Sequence, residues 1–196
     1  YAVIAVLGGL MVMKGWTDLG SLASYLVFVR QTTLPINQFT QQGNFLLAAL
    51  AGAERIFAAI GDRKPRAVLL THGHFDHIGA VDAVCEKYGV PVYIHEADAI
   101  KLTDTEANTG CRFGHPVTVR TQPRLLHDDE ELNLAGIGLK VLHTPGHSEG
   151  SVTLRCGDAL FCGDTLFAGS CGRTDLRGGS YEQIMQSLKR LGELKG

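Results

Sequence analysis

Four side chains that commonly bind metal ions lie within six consecutive positions of the chain, 72 to 77. The run Thr71-His-Gly-His-Phe-Asp-His77 places them directly after a short apolar stretch. In an extended segment, residues i and i+2 point to the same side, so His72 and His74 can hold one ion together. A tight turn through Asp76 and His77 can present the next two side chains to a neighbouring position. Imidazole and carboxylate suit zinc or iron, and three protein ligands with an open position are typical of a catalytic ion.

Two further candidate ligands follow strand-like stretches later in the chain. Gly138-Leu-Lys-Val-Leu-His-Thr-Pro-Gly-His147 predicts a strand that runs into a turn ending on His147. Asp158-Ala-Leu-Phe-Cys-Gly-Asp164 predicts a strand that ends on Asp164. Because α/β sheets usually build their sites at strand ends, we expect both side chains to lie near the histidine cluster.

The elements that must position these residues predict an α/β arrangement. The segment Ala67-Val-Leu-Leu-Thr71 suits a short buried strand, residues 79–88 a helix, and Val90-Pro-Val-Tyr-Ile94 a second strand. The order strand, loop, helix, strand is typical of an α/β unit. Residues 180–195 predict an amphipathic helix, with Ile184, Leu188, Leu191 and Leu194 on one side.

The order H-x-H-x-D-H, then a histidine, then an aspartate, resembles the metallo-β-lactamase superfamily over about residues 54–196. The resemblance implies an α/β fold built as a partial αββα sandwich, and a cofactor of one or two zinc ions, with iron as the alternative. It implies two metal positions bridged by one carboxylate. Carried over position by position, the first ion belongs to His72, His74 and His147, the second to Asp76 and His77, and the bridge is Asp164.

Two usual features of this superfamily are missing from the sequence. No histidine follows His147, although family members usually supply one more ligand to the second metal from a later loop. The strands that normally precede the H-x-H-x-D-H loop are also absent. We therefore expect a domain truncated at both ends, with a second metal position weaker than the first.

A later segment narrows the resemblance within the superfamily. Gly169-Ser-Cys-Gly-Arg-Thr-Asp175, followed by Gly178-Gly-Ser-Tyr181, is similar to glyoxalase II-like thioesterases and to persulfide dioxygenases. The first likeness implies hydrolysis of a small thioester such as an acyl-glutathione, with Asp76 orienting the attacking hydroxide. The second implies a mononuclear iron enzyme, with His72 or His74, His147 and Asp164 as ligands. Arg173 and Asp175 would either bind substrate or brace the metal loop.

The N-terminal residues 1–58 differ in character from residues 59–196, and we expect these to be separate domains. Tyr1 to Met13 is apolar but shorter than the roughly 20 residues that span a bilayer. The order of Gly20-Ser-Leu-Ala-Ser-Tyr-Leu-Val-Phe-Val-Arg30, Leu34-Pro-Ile-Asn37 and Ala49-Leu-Ala-Gly-Ala-Glu-Arg-Ile-Phe57 resembles the last transmembrane helices of an ABC exporter. No phosphate-binding loop G-x-x-x-x-G-K-[ST] follows, so the resemblance implies no ATPase.

Three interpretations of this N-terminal segment stay open. It is a helical, membrane-derived segment that associates with membrane or detergent, or an amphipathic helical cap on a soluble enzyme. The third interpretation is a non-enzymatic fusion of a transporter fragment with an inactive hydrolase domain. We favour the first, which predicts a cytoplasmic protein with membrane association through residues 1–58 and leaves its oligomeric state undetermined.

Composition excludes several other classes of protein. A formal net charge of −2 gives no electrostatic reason to expect binding to nucleic acid, which favours a basic protein face. The five cysteines are odd in number and include no Cys-x-x-Cys pair, so we expect reduced, mostly buried thiols, as in a cytosolic protein.

A serine nucleophile is excluded by its surroundings. Gly146-His-Ser-Glu-Gly150 matches the G-x-S-x-G motif, which requires a helix and then a histidine after the serine. Ser151-Val-Thr-Leu-Arg155 instead predicts a strand, and no histidine follows. Of the remaining histidines, His143 is expected near the metal site, while the other three are expected on the surface or in loops: His95, His115 and His127.

Overall fold

The computed structural model describes residues 2–32, 35 and 60–194. The chain divides into two compact units, Tyr1–Gly61 and Asp62–Gly196. In the first unit, helix α1 spans Ala2–Met13 and residues 19–32 form helix α2. The predicted helical features within residues 36–59 lie outside the described residues. In the part of the chain that the structure describes, no helix is both long and apolar enough to cross a bilayer.

Local interactions in the first unit explain the break between its two helices. Gly15 adopts a left-handed backbone with φ 68°, a conformation that glycine tolerates without steric cost. The carboxylate of Asp18 then caps α2, because it accepts hydrogen bonds from the backbone N–H of Ser21 at 2.9 Å and from its hydroxyl at 2.6 Å. These hydrogen bonds lower the pKa of Asp18, the Ser21 hydroxyl having the largest effect.

The second unit contains two main sheets and a short hairpin. A parallel sheet has the order β1-β2-β3, an antiparallel sheet has the order β4-β5-β6-β7, and β8 pairs with β9. The strands are β1 Val68–Leu69, β2 Val92–His95, β3 Arg124–Leu126, β4 Glu131–Leu134, β5 Ile137–His143, β6 Val152–Cys156, β7 Ala159–Phe161, β8 Leu166–Phe167 and β9 Ser170–Cys171. The helices are α3 Phe75–Ile78, α4 Val81–Tyr88, the 3₁₀ helix Glu96–Leu102 and α5 Tyr181–Gly192.

Two apolar cores hold this unit together. The first lies between the helices after β1 and the parallel sheet, where Ile78, Val81 and Cys85 pack with buried residues of β2. The second lies between the two sheets and includes Tyr93 and Val141. A backbone hydrogen bond from Val152 to Thr71, 2.8 Å long, joins β6 to the residue before the histidine run. The predicted α/β unit is therefore present, and the histidine-containing loop that follows β1 is anchored to both sheets.

Several elements differ from their predicted bounds. Strand β1 has only two residues, both partly buried, where a five-residue buried strand was expected. The helix predicted over residues 79–88 begins at Val81, because residues 75–78 form a separate helical turn. Helix α5 ends at Gly192 rather than at residue 195. At its N-terminus, the Ser180 hydroxyl oxygen accepts a hydrogen bond from the backbone N–H of Gln183.

Two predictions about burial were wrong. The cysteines are all free, as expected, but only Cys85 is buried and Cys111 is exposed. His95 was expected on the surface, yet it is 5% exposed because it ends β2, whose four residues are all buried. Its ring stacks on that of His143 with centroids 4.1 Å apart. Burial, followed by the neighbouring His143, lowers the pKa of His95.

Candidate metal centre

Three imidazole rings converge where β1 ends and where the loop after β5 turns. The ligand nitrogens of His72, His74 and His147 all lie within 4.8 Å of one another. Each of these residues is at most 3% exposed. Their rings stand nearly perpendicular to each other, with centroids 4.6 to 4.8 Å apart. The short distances between their ligand nitrogens make these three histidines a candidate site for one metal ion.

Glycines allow the two loops that carry these histidines to approach their neighbours. A side chain at Gly73 would meet the Cβ of Lys101 at 2.7 Å and the backbone oxygen of Asp98 at 3.1 Å. Gly146 has φ 130°, and a side chain there would collide with the backbone of Ile184 in α5. Both positions require glycine, so the histidines next to them are held by backbone packing.

Two buried nitrogens of this cluster lack hydrogen-bond partners among the described residues. Nε2 of His72 and Nε2 of His74 are buried and accept or donate no hydrogen bond among the described residues. A buried polar group without a hydrogen-bond partner costs about 1–3 kcal/mol of folding stability. Two such nitrogens in neighbouring rings therefore need an explanation. A metal ion supplies one, because neutral imidazole nitrogens are ligands for zinc and iron. The residues present therefore fit a bound zinc or iron ion.

The surroundings of His72 and His74 keep these two rings neutral. Burial, together with the neighbouring His77, His74 and His147, lowers the pKa of His72 far below its ordinary value. Burial and then His147 lower the pKa of His74 to about 4. Both rings are therefore in the unprotonated form that binds metal at neutral pH.

The ring of His147 is oriented by the backbone of a later loop. Its Nδ1 lies 2.8 Å from the carbonyl oxygen of Arg173, so Nδ1–H donates and Nε2 faces the cluster. The Arg173 side chain instead pairs with Asp175, with two contacts of 2.7 Å. The loop therefore braces the histidine through its backbone, which is one of the two roles expected for this segment.

A second group of candidate ligands lies beside the first and shares one residue with it. Ligand atoms of His72, His77 and Asp164 lie within 4.8 Å of one another. One carboxylate oxygen of Asp164 is 3.5 Å from Nε2 of His147, and the other is 3.5 Å from Nε2 of His77. Asp164 thus stands between the two groups, the position expected of a bridging ligand.

Asp76 lies at the rim of this second group rather than within it. Its side chain is 59% exposed, and its nearest carboxylate oxygen is 3.8 Å from Nε2 of His77. Five of the six predicted ligands are therefore brought together, and the sixth faces the solvent side of the site. Sequence reasoning missed one buried group here, the carboxylate of Asp98, because a single acidic residue in a short helix carries no recognisable signal.

The other predictions about side chains near the site have mixed outcomes. Ser148 is fully buried and precedes strand β6, so the arrangement required of a serine nucleophile is absent, as expected. His143 is close to the site, where its Nε2 lies 2.8 Å from the backbone oxygen of Glu149. His127 is exposed and His115 lies in a loop, both as predicted.

The family model for the metallo-beta-lactamase superfamily matches residues 44–196. The chain belongs to this superfamily, which confirms the predicted fold family of the second unit. The di-iron-bound form of TTHA1623 is a solved structure to which this chain is 36% identical, with a TM-score of 0.63, and the match covers 73% of this chain and 72% of that one. The predicted choice of zinc, with iron as the alternative, fits that likeness and the histidine cluster.

Two other solved structures are similar. The BLEG-1 B3 metallo-beta-lactamase is 41% identical with a TM-score of 0.66, over 71% of this chain and 68% of that one. ETHE1 from Myxococcus xanthus is 28% identical with a TM-score of 0.52, over 74% of this chain and 55% of that one.

Curated relatives give the same family and one additional likeness. The chain is 46% identical over 127 residues to the probable metallo-hydrolase YqgX of Bacillus subtilis, covering 63% of this chain and 60% of YqgX. It is 33% identical over 149 residues to the hydroxyacylglutathione hydrolase GloC of Haemophilus influenzae, covering 70% and 68%. The chain spans about three fifths of the length of the curated relatives that it matches first. A 66-residue stretch is 39% identical to the uncharacterized ABC transporter ATP-binding protein YfiC of Bacillus subtilis, covering 34% of this chain and 11% of that protein.

Proposed function

We propose that the second unit is a metal-dependent hydrolase that cleaves a small thioester such as an acyl-glutathione. The observation that carries this proposal is the convergence of three buried histidines, two of which have Nε2 atoms without a protein partner. The adjoining His77 and Asp164 provide ligand atoms for a second ion. A bound ion of this kind lowers the pKa of a coordinated water to near neutral and so supplies a nucleophile at pH 7.

Five side chains would hold the metal ions, and a sixth would orient the attacking water. His72, His74 and His147 would hold the first ion, while His77 and Asp164 would hold the second, with Asp164 shared. Asp76 would orient the attacking water and accept its proton, because its carboxylate lies beside His77 and stays open to solvent. We infer that Asp76 is a catalytic residue and the other five are metal ligands.

The thioester class rests on sequence likeness together with the second group of ligands. The hydroxyacylglutathione hydrolase GloC is 33% identical to this chain. A site for two ions would aim a nucleophile and polarise a carbonyl oxygen at the same time, as thioester hydrolysis requires.

The alternative is a persulfide dioxygenase with a single iron. Its support is the resemblance of residues 169–181 to that family and the 3.5 Å approach of the Asp164 carboxylate to His147. Together with a second histidine, these two residues could form a two-histidine, one-carboxylate iron site. This alternative leaves Asp76 and His77 without a function at the site.

A paired assay on the full chain separates these activities. Loss of the thioester absorbance of an acyl-glutathione is expected, and it should stop after treatment with a chelator and return when zinc or iron is restored. Oxygen uptake with glutathione persulfide is measured in parallel and should stay at the background rate. Oxygen uptake without thioester cleavage would overturn the proposal. No detectable activity in either assay would favour a fusion with an inactive domain.

We also propose that residues 1–58 are a membrane-derived segment that associates with membrane or detergent. Helix α1 buries none of its residues, and its apolar side chains include Val3 at 70% and Val6 at 64% exposure. Leu19 and Phe28 of the next helix are 71% and 62% exposed. The likeness to an ABC transporter protein supports an origin of this kind. The alternative, a helical cap on a soluble enzyme, would cover these side chains with protein.

Light scattering of the full chain distinguishes the two interpretations. We expect polydisperse, associated protein in plain buffer and a single small species after addition of a mild detergent, because the detergent covers the exposed apolar side chains. Protein that is monodisperse in plain buffer, and unchanged by detergent, would support the helical cap. The predicted cytoplasmic location stays a prediction.

A further inference from the structure

A buried carboxylate connects the two loops that carry the first three candidate ligands. Asp98, in the 3₁₀ helix after β2, is 0% exposed. Its Oδ2 accepts a hydrogen bond of 2.8 Å from the backbone N–H of Gly73, which lies between His72 and His74. The Asp98 carboxylate therefore contacts the backbone at the centre of the H-x-H segment.

The loop that carries His147 contacts the same carboxylate through the residues that follow this histidine in the sequence. The hydroxyl of Ser148 donates to Oδ2 of Asp98 at 2.7 Å, and the backbone N–H of Gly150 donates to Oδ1 at 2.8 Å. Gly150 packs so closely on Asp98 that a side chain at this position would collide with it. One side chain thus fixes the relative position of two loops, although Gly73 and Ser148 lie 25 and 50 residues from Asp98 in the sequence.

A buried lysine completes this arrangement. Lys101 is 1% exposed, and its ammonium donates to Oδ1 of Asp98 at 2.8 Å and also contacts the Glu149 carboxylate. A buried carboxylate is tolerated only when it is paired and hydrogen-bonded, and Asp98 has four donors. Burial alone would raise the pKa of Asp98, but Lys101 and the hydrogen bonds hold it below its ordinary value.

We propose that Asp98 is a positioning residue that locks the His72–His74 segment and the His147 loop into metal-binding geometry, with Lys101 as its counter-ion. The inference rests on the proposed metal site but concerns a residue that contacts neither substrate nor metal. Asp98 contacts the two loops through the backbone amides of Gly73 and Gly150 and through the Ser148 hydroxyl, so removing its carboxylate loosens the spacing of the three histidines without deleting any of them. Partners of this kind typically contribute about 10- to 100-fold to metal affinity.

The test is zinc affinity of the full chain, measured by competition with a chromogenic chelator after metal removal. Asp98→Asn keeps the size of the side chain but places an NH₂ group against donors, since all four of its present contacts donate to it. We expect this variant to bind zinc about 10- to 100-fold more weakly than the wild type. The Ser148→Ala variant, which removes a single contact to Asp98, should weaken binding by a smaller factor and serves if Asp98→Asn does not fold.

Asp82→Asn provides a matched control for loss of a structural carboxylate. Asp82 accepts hydrogen bonds from the backbone N–H groups of Arg120 and Thr121 and from the Thr121 hydroxyl, and none of these partners adjoins a candidate ligand. The unfolding midpoint of each metal-free variant is recorded beside its zinc affinity. We expect Asp82→Asn to lower the midpoint while leaving zinc affinity unchanged, and equal losses of affinity in both variants would overturn the inference.

The double variant Asp98→Asn with Lys101→Met separates positioning from charge pairing. If Asp98 only neutralises the lysine, removing both charges restores zinc binding, and that result would overturn the inference. If Asp98 positions the loops, zinc binding stays weak in the double variant. A wild-type protein that binds neither zinc nor iron would instead refute the proposed function, whereas unchanged binding by Asp98→Asn refutes the positioning role alone.

Discussion

Replacing His72 by alanine is expected to remove the ion from the first metal position. His72 is the one residue that belongs to both groups of converging ligand atoms, and it is 1% exposed. Because loss of an outer hydrogen-bond partner already costs about 10- to 100-fold in metal affinity, loss of a direct ligand should cost at least about 100-fold. Thioester hydrolysis should fall by at least the same factor, since the nucleophile depends on the metal.

Metal content by elemental analysis and thioester hydrolysis are measured on the same preparation of the His72→Ala variant. The matched control is His95→Ala, which also removes a buried histidine but one outside both groups of ligand atoms. This control should keep its metal even if its stability falls. If His72→Ala retained as much metal as the control, the assignment of His72 would be wrong.

Replacing Asp76 by alanine is expected to separate catalysis from metal binding. Asp76 lies at the rim of the site with its side chain 59% exposed, so the three buried histidines should keep the first ion in place. A side chain that orients and deprotonates the attacking water typically contributes about 10²- to 10⁴-fold to the rate. We expect thioester hydrolysis to fall within this range while metal content stays close to that of the wild type.

The assay follows thioester absorbance and oxygen uptake with a persulfide in parallel. Asp158→Ala is a suitable control, because it removes another exposed carboxylate, in the turn between β6 and β7. Hydrolysis by the control should equal that of the wild type. Oxygen consumption that continues unchanged in Asp76→Ala, without thioester cleavage, would show that the site belongs to the mononuclear iron alternative.

The spacing of the ligand run predicts most of the first metal position but not the orientation of its last two members. His72 and His74 follow a strand, where alternate side chains share a side, and they do converge. Asp76 and His77 were expected to turn toward one position, yet they lie in the helical turn Phe75–Ile78. Neighbouring residues of a helix point about 100° apart, which explains why His77 joins the second group and Asp76 remains at its rim.

Contacts between distant segments are the part of the site that the sequence does not show. The approach of His147 to His74 joins positions 73 residues apart, and it was indicated by the strand-end position of His147 and by the resemblance to a known ligand order. No comparable pattern marks Asp98, Lys101 or Ser148, whose burial and pairing depend on how the 3₁₀ helix packs on both loops. His95 was misplaced for the same reason, because its burial depends on the sheet around β2.

The most direct test of this account is the metal content of the full chain, purified gently and without chelators. We expect about one tightly held zinc or iron ion per chain at the buried histidines, with a second ion bound more weakly beside His77 and Asp164. Titration with zinc after metal removal should therefore show one strong and one weaker step. Protein that contains neither metal and takes up none in the titration would contradict the proposed metal centre.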